Sequence, residues 1–257
     1  MSDEVRLQAG ESVLIHAPNP TGVRSEIQLR SGQSVTVYAP PAQVQDIPPW
    51  VDVRNQMPTN PNPDNPGFAE VGHKGWWKRT HNQIDGVTIH HTMTHDMVWL
   101  ASYCTRSRSK NGKGYPTTNY AFWVHANGKI NYCVDITEAV WHDHCGDENT
   151  HISVGMAGDL SKAAPPKAQL EGVVKLASYL MRMLNISLEN VEGHGEWALR
   201  HPTKVATACP GWHTSGWREQ FYQMLRAEID PAGVSFAVPT PDYSVMEAIL
   251  ANHDEGR

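Results

Sequence analysis

A run with four prolines separates the beginning of the chain from the rest. Residues 55–67 read Asn-Gln-Met-Pro-Thr-Asn-Pro-Asn-Pro-Asp-Asn-Pro-Gly. Because proline lacks a backbone N–H and fixes φ, this run is unsuited to a strand ladder and favours an extended, semi-rigid spacer. The sequence therefore predicts an N-terminal module at 1–54, a linker at 55–67, a main domain at 68–230 and a tail at 231–257.

Short apolar segments between turn signals precede the proline run. They alternate or cluster as half-buried strands do, at Val5 and Leu7, Ser12–Ile15, Ile27 and Leu29, and Val35 and Val37. We expect a small β-rich module with three or four strands. Its role stays open between a stabilising extension packed on the main domain and a binding or docking module.

The main domain mixes strand and helix patterns. Apolar β-rich runs predict strands at 87–91, 119–124, 129–134 and 153–156, and Asn127-Gly128 is a strong hairpin signal. Apolar residues at helical spacing predict a helix over 167–184, another beginning at Thr94 or Asp96, and a last one at about 215–229. This mixture predicts an α/β or α+β domain with one central sheet.

Composition excludes several classes of protein. The net charge of −6 argues against nucleic acid as the main partner, since phosphate binding needs clustered cations. The chain contains no run of eighteen apolar residues, so we expect no membrane span. Four cysteines are too few for a disulfide framework in 257 residues. The acidic start, Met1–Glu4, lacks the features of a secretory signal.

Three side chains suggest a metal site. His194, in Gly-His-Gly-Glu, precedes Cys209, in Ala-Cys-Pro-Gly, by fifteen positions. A catalytic zinc takes three such protein ligands and keeps a fourth position open. His90, at the end of a predicted strand, is the candidate third ligand, although strand alternation allows only one of His90 and His91 to face a site. We predict one open His/His/Cys zinc site.

Several motifs follow one another in a specific order along the main domain. They are Val87–Thr92, Asn119–Val124 with the turn Asn127–Lys129, Ala139–His142, Ser153–Gly155, and Gly193-His194 with Thr207–Gly211. Their order and spacing resemble a known family, the zinc-dependent N-acetylmuramoyl-L-alanine amidases of the phage-lysozyme and peptidoglycan-recognition-protein type. The resemblance covers about residues 80–228, and no single motif decides it. The resemblance implies a mixed central sheet flanked by helices.

The resemblance also implies roles for individual residues. His90, His194 and Cys209 would hold Zn²⁺, as the ligand types already suggest. Tyr120 falls where the family has a tyrosine beside the metal-bound water. Thr207 falls where a lysine or threonine contacts the developing oxyanion, and both would be catalytic.

Further positions are assigned to the substrate groove. Trp141 and His142 fall in a groove-lining Trp-His motif, and Glu196 lies in the site region, where an ordinary solvated carboxylate is an equal alternative. Some relatives carry a glutamate base where this chain has Ala157, so the identity of the general base stays open. For His144, Cys145 and His151 we favour a polar loop near the groove over a second metal site.

These inferences predict a peptidoglycan hydrolase. Zinc-activated water would cleave the amide bond between N-acetylmuramic acid and L-alanine, and the partner would be bacterial peptidoglycan. We expect a monomer, made in the host cytoplasm without a signal peptide, that acts on the wall after export or lysis as a phage endolysin does. The alternatives are a recognition protein that binds muropeptide without cleaving it and an intracellular amidase for wall recycling.

Overall fold

The computed structural model describes residues 47–64, 77–142, 150–200 and 207–229, together with the backbone of four N-terminal strands. The predicted tail, 231–257, and residues 65–76 at the end of the predicted linker lie outside the described residues. Contacts divide the chain into two units, Met1–Ile47 and Pro48–Arg257.

The N-terminal unit contains two antiparallel strand pairs. Strand β1 pairs with β4, and β2 pairs with β3. The strands are β1 (Asp3–Arg6), β2 (Val13–Ile15), β3 (Ser25–Ile27) and β4 (Ser34–Val37). All four overlap or adjoin the short apolar segments of the sequence.

The second unit alternates strands and helices. Its strands are β5 (Trp50–Asp52), β6 (Trp77–Lys78), β7 (Gly86–His91), β8 (Phe122–Val124), β9 (Ile130–Tyr132), β10 (Glu138–Ala139), β11 (His151–Met156) and β12 (Val191–Gly193). Its α-helices are α1 (Met97–Thr105), α2 (Lys167–Leu184), α3 (His194–Arg200), α4 (Trp212–Ser215) and α5 (Arg218–Ile229). Short 3-10 turns lie at Arg54–Gln56, His81–Gln83, Arg108–Lys110 and Leu188–Asn190.

Six of these strands form a mixed sheet in the order β12-β7-β11-β8-β9-β5. The strands β12, β7, β11 and β8 run parallel to one another. Strands β8 and β9 form the antiparallel hairpin, and β5 adds in parallel to β9. Helices α2 and α5 pack together, and α2 also contacts β7, β8 and β11. The mixed central sheet flanked by helices is confirmed.

Alternation along the central strands sends apolar side chains to one face. Val87 and Ile89 of β7 and Val154 of β11 are fully buried in the main core with α2 and α5. A second core, which includes Tyr120, Trp123 and residues of α1, forms separately from it. Asp96 caps the start of helix α1, since its carboxylate accepts the Trp99 N–H at 2.9 Å. Within the described residues, no helix combines the length and apolar composition that a bilayer crossing requires.

The sheet begins earlier in the chain than the predicted division at residue 54. Strand β5 pairs Trp50 with Ile130 at the sheet edge, and Trp50 stacks edge-on against Tyr179 of α2 with ring centroids 5.3 Å apart. The residues Trp50–Asp52 therefore belong to the second unit, because a strand partner and a hydrophobic neighbour both lie there.

The first half of the predicted linker is also packed on this unit. Asn60 N–H donates to the Pro116 carbonyl at 2.8 Å, and the Asp64 carboxylate accepts the Arg108 N–H at 2.9 Å. Met57 is buried. The described part of the predicted semi-rigid spacer is therefore hydrogen-bonded to the second unit.

The predicted last helix, at about 215–229, corresponds to α5, which starts at Arg218. A separate short helix, α4, lies before it and ends before Gly216, whose φ of 69° lies in the left-handed region that helices exclude. Trp217 between them is buried against Trp212 at a ring-centroid distance of 5.4 Å. The helix α2, in contrast, has the predicted bounds 167–184.

Candidate metal centre

Three elements bring His90, His194 and Cys209 together. His90 is next to last in β7, and His194 begins α3 directly after β12. Because β7 and β12 are parallel neighbours, their carboxyl ends lie at the same edge of the sheet. The ligand atoms of the three side chains lie within 4.8 Å of one another, and all three residues are buried.

The spacing of these atoms suits a zinc ion. Cys209 Sγ lies 3.7 Å from His90 Nδ1. Tetrahedral zinc with ordinary Zn–S and Zn–N bonds separates its sulfur and nitrogen ligands by roughly 3.6 Å. A sulfur and two imidazole nitrogens are also ligand types that zinc prefers. The donor set and its geometry therefore fit this ion.

The thiol of Cys209 is held next to the backbone of β7. Burial raises the pKa of Cys209 to about 12, and the His91 N–H, 3.4 Å from Sγ, acts in the opposite direction. Cys209 also anchors α3, since its carbonyl accepts the Gly195 N–H at 2.6 Å. Without a cation this sulfur is a thiol, and a bound metal would have to displace its proton.

His90 has a second contact on the opposite side of its ring. Its Nε2 lies 2.9 Å from Nδ1 of His142, and Nε2 of His142 lies 3.3 Å from the His151 carbonyl oxygen. His142 is itself buried. The predicted groove residue His142 is therefore also a direct neighbour of a predicted metal ligand.

A cavity of about 260 Å³ opens at the three residues. Tyr120, the predicted catalytic residue, and Trp141, a predicted groove residue, both lie in its wall. The Tyr120 ring lies 5.4 Å from that of His90, and burial raises the pKa of its hydroxyl well above the ordinary value. Tyr120 therefore remains a neutral hydrogen-bond donor at physiological pH.

Thr207 lies two residues before Cys209 and is half-buried. Its Oγ1 accepts the Cys209 N–H at 3.2 Å. The described residues of the cavity wall do not include Thr207. The observed contact of Thr207 is therefore with the backbone at Cys209.

Glu196 is not the solvated carboxylate that its local sequence suggests. It is 3% exposed, and its Oε1 lies 2.5 Å from Nε of Arg218 in α5. Its Oε2 accepts the Gly193 N–H at 3.0 Å. The described cavity wall does not include Glu196. These contacts make it a structural anchor at the start of α3.

The cavity also involves residues that sequence reasoning did not assign to a site. His91 lines it, and its Nδ1 accepts the Leu160 N–H at 3.2 Å. Other wall residues come from α1 and the loop after it, namely Leu100, Tyr103, Lys113 and Tyr115. The helical spacing of Leu100 and Tyr103 predicts that they share one face of α1. No nearby residue indicates that this face lines the cavity.

The remaining predicted candidates are placed as follows. His151 is buried and directed to Thr88, whose Oγ1 lies 2.9 Å from its Nδ1. His144 and Cys145 lie outside the described residues. Ala157, at the position where some relatives carry a glutamate, is buried after β11.

Comparison with known families agrees with this geometry. Residues 80–212, slightly more than half of the 257-residue chain, match the family described as N-acetylmuramoyl-L-alanine amidase. The chain belongs to this amidase family. The matched range includes His90, His194 and Cys209. No curated protein matches the chain.

Solved structures are similar in fold. Peptidoglycan recognition protein-LE, in complex with tracheal cytotoxin, matches with a TM-score of 0.50 and 15% identity over 66% of this chain and 92% of that chain. Drosophila peptidoglycan recognition protein SD matches with a TM-score of 0.49 and 15% identity over 67% and 95%. The endolysin amidase LysCS from Clostridium intestinale matches with 0.44 and 17% identity over 62% and 92%. Identities this low concern the fold alone.

Proposed function

We propose that this chain is a zinc-dependent N-acetylmuramoyl-L-alanine amidase of bacterial peptidoglycan. The observation that carries the proposal is the convergence of His90, His194 and Cys209 within 4.8 Å inside an amidase-family domain. All three residues are buried beside a cavity lined in part by aromatic side chains. Such a cavity suits the binding of a sugar-peptide junction.

The residues of this chain suggest how the amide bond is attacked. Zinc held by the three residues would polarise the lactyl carbonyl and lower the pKa of a bound water to about 7. Tyr120, kept neutral by burial, would orient the attacking water through its hydroxyl. Thr207, whose oxygen accepts the Cys209 N–H, would donate its O–H to the developing oxyanion.

The walls of the cavity would hold the substrate around this centre. We propose that Trp141 and His142 contact it on one side and that Tyr103 and Lys113 of the α1 region face it on the other. Lys113 provides a cation opposite a substrate whose stem peptide carries carboxylates. Glu196 has less support as a substrate contact, since Arg218 and Gly193 already engage its carboxylate.

The biological setting that we propose is lysis of a bacterial wall by a phage or prophage endolysin. The N-terminal unit, Met1–Ile47, would then be a module of the same chain separate from the amidase unit. Purified protein added to bacteria with a permeabilised outer membrane, or to isolated walls, should lower the turbidity of the suspension. A pure recognition protein would leave the turbidity constant.

The decisive experiment measures the bond that is broken. Wild-type protein and Cys209→Ala are incubated with purified peptidoglycan, with and without a chelator, and new L-alanine amino termini are counted. We expect release by the wild type alone, abolished by the chelator and restored by zinc. Sedimentation with peptidoglycan without new amino termini would favour the recognition protein, and new reducing ends would contradict amidase chemistry.

A further inference from the structure

His142 contacts His90 at the ring nitrogen that faces away from His194 and Cys209. His90 Nε2 and His142 Nδ1 are 2.9 Å apart, while His90 Nδ1 is directed to Cys209 Sγ at 3.7 Å. The two imidazole rings meet edge to face, at 87°. His90 and His142 are 1% and 5% exposed, so little water competes for this contact.

A carbonyl oxygen at the far side of His142 fixes the position of the protons. His142 Nε2 lies 3.3 Å from the His151 carbonyl oxygen, which can only accept. Nε2 of His142 therefore carries the proton of the neutral ring, and Nδ1 is left as an acceptor. The only hydrogen bond that His142 Nδ1 can then make with His90 is one donated by His90 Nε2–H.

The acceptor at His151 is itself held in place. Buried Arg79 donates from Nη1 to the same His151 carbonyl at 2.9 Å and from Nε to the Ile136 carbonyl at 2.9 Å. His151 begins β11, which pairs with β7 in parallel, so the carbonyl belongs to the rigid sheet. The ring of His142 is thus attached to a fixed point.

We propose that His142 is a positioning residue that fixes the metal-binding tautomer of His90. With its proton on Nε2, His90 offers an unprotonated Nδ1 to the space that it shares with His194 and Cys209. A hydrogen-bonded partner on the other ring nitrogen orients a histidine ligand and raises its basicity. This inference rests on the proposed zinc site and adds to it a role for His142 that does not require contact with substrate.

Two variants separate the hydrogen bond from the bulk of the ring. His142→Phe keeps an aromatic ring and removes both nitrogens. His142→Asn places an amide oxygen near the position of Nδ1 and can still accept from His90. His125→Asn is the matched control. His125 is a half-buried histidine whose Nε2 contacts Asn131 at 3.0 Å, and it is not one of the three candidate metal ligands. Circular dichroism checks that each variant is folded.

The main measurement is the dissociation constant of zinc, by competition with a chelating dye. Removal of such a hydrogen-bond partner typically weakens metal binding by about 10–100-fold. We expect a weakening in that range for His142→Phe, a smaller one for His142→Asn, and no change for His125→Asn. Folded His142→Phe with wild-type zinc affinity would overturn the role of His142. Absence of zinc binding by the wild type would instead overturn the proposed metal chemistry.

A second measurement does not depend on the folding of any variant. Long-range ¹H–¹⁵N spectra of the metal-free wild type report which ring nitrogen of His90 carries the proton. We expect a single tautomer with the proton on Nε2. A proton on Nδ1 of His90 in the wild type would overturn the proposal directly.

Discussion

The buried ion pair between Glu196 and Arg218 gives the sharpest test of how the site is supported. Replacing Glu196 by Gln keeps an oxygen acceptor for the Gly193 N–H and removes the charge opposite Arg218. The two side chains are 3% and 13% exposed, so neither is well solvated in the folded state. The variant therefore leaves a largely buried guanidinium without its carboxylate.

The size of the effect follows from this burial. Removing one partner of a buried pair costs about 3–5 kcal/mol. Arg218 keeps its contact with the Tyr222 ring, 4.6 Å from the ring centroid, and we therefore expect the lower end, about 3 kcal/mol. For a domain of this size each kcal/mol lowers Tm by roughly 2–4 °C, which gives a decrease of about 6–12 °C.

Thermal unfolding followed by circular dichroism measures this decrease. The chelator-treated protein is used so that bound metal does not contribute to stability. The double variant Glu196→Gln/Arg218→Met should recover part of the loss, because the unpaired charge is removed. A Tm within about 2 °C of the wild type would refute the reasoning, since that is less than 1 kcal/mol. If Tm of Glu196→Gln is unchanged in this way and its KM for a muropeptide rises, Glu196 is instead a substrate contact.

Three further predictions concern the cavity and the loop beside it. Gly155→Ala should lower the amidase rate by an order of magnitude or more, because its Cβ would lie 2.9 Å from the Tyr120 ring and displace it, as steady-state kinetics will show. Tyr120→Phe should reduce kcat by about 10²-fold while zinc content, measured by atomic absorption, stays at the wild-type value. Hydrogen bonds from Ser161 and Lys162 lower the pKa of Asp159 to about 2. Its carboxylate therefore stabilises the fold above the ordinary pKa near 4 and loses this effect as the pH falls towards 2. In Asp159→Asn, the free energy of unfolding measured with urea should therefore depend less on pH over that interval.

Features with strong local signals were predictable from the sequence. Helix α2 has eighteen residues at helical spacing, begins after Pro166 and ends at Asn185 in the left-handed conformation. Its bounds agree with those expected. The hairpin around Asn127-Gly128 also formed between two short strands, β8 and β9. In both cases the information lies within a few residues of the element.

Features that depend on distant partners were not predictable. The strand β5 has three residues, and its pairing with β9 joins positions about eighty residues apart. Glu196 resembles a solvated carboxylate at a helix start, and only the folded chain brings Arg218 to it from α5. The contact between His142 and His90 spans fifty-two residues and has no local signature.

The alternation of β7 explains why one of two adjacent histidines is the candidate ligand. Val87 and Ile89 enter the core below α2 and α5, and His90 therefore projects to the other face. On that face the Thr88 hydroxyl reaches His151, and Gly155 of the neighbouring strand lies against the Tyr120 ring. A shift of β7 by one residue would bury His90 in the apolar core and expose Ile89 at the cavity. The hydrophobic core thus fixes the register that presents His90 to His194 and Cys209, so that the stability of the fold and the geometry of the metal centre depend on the same strand.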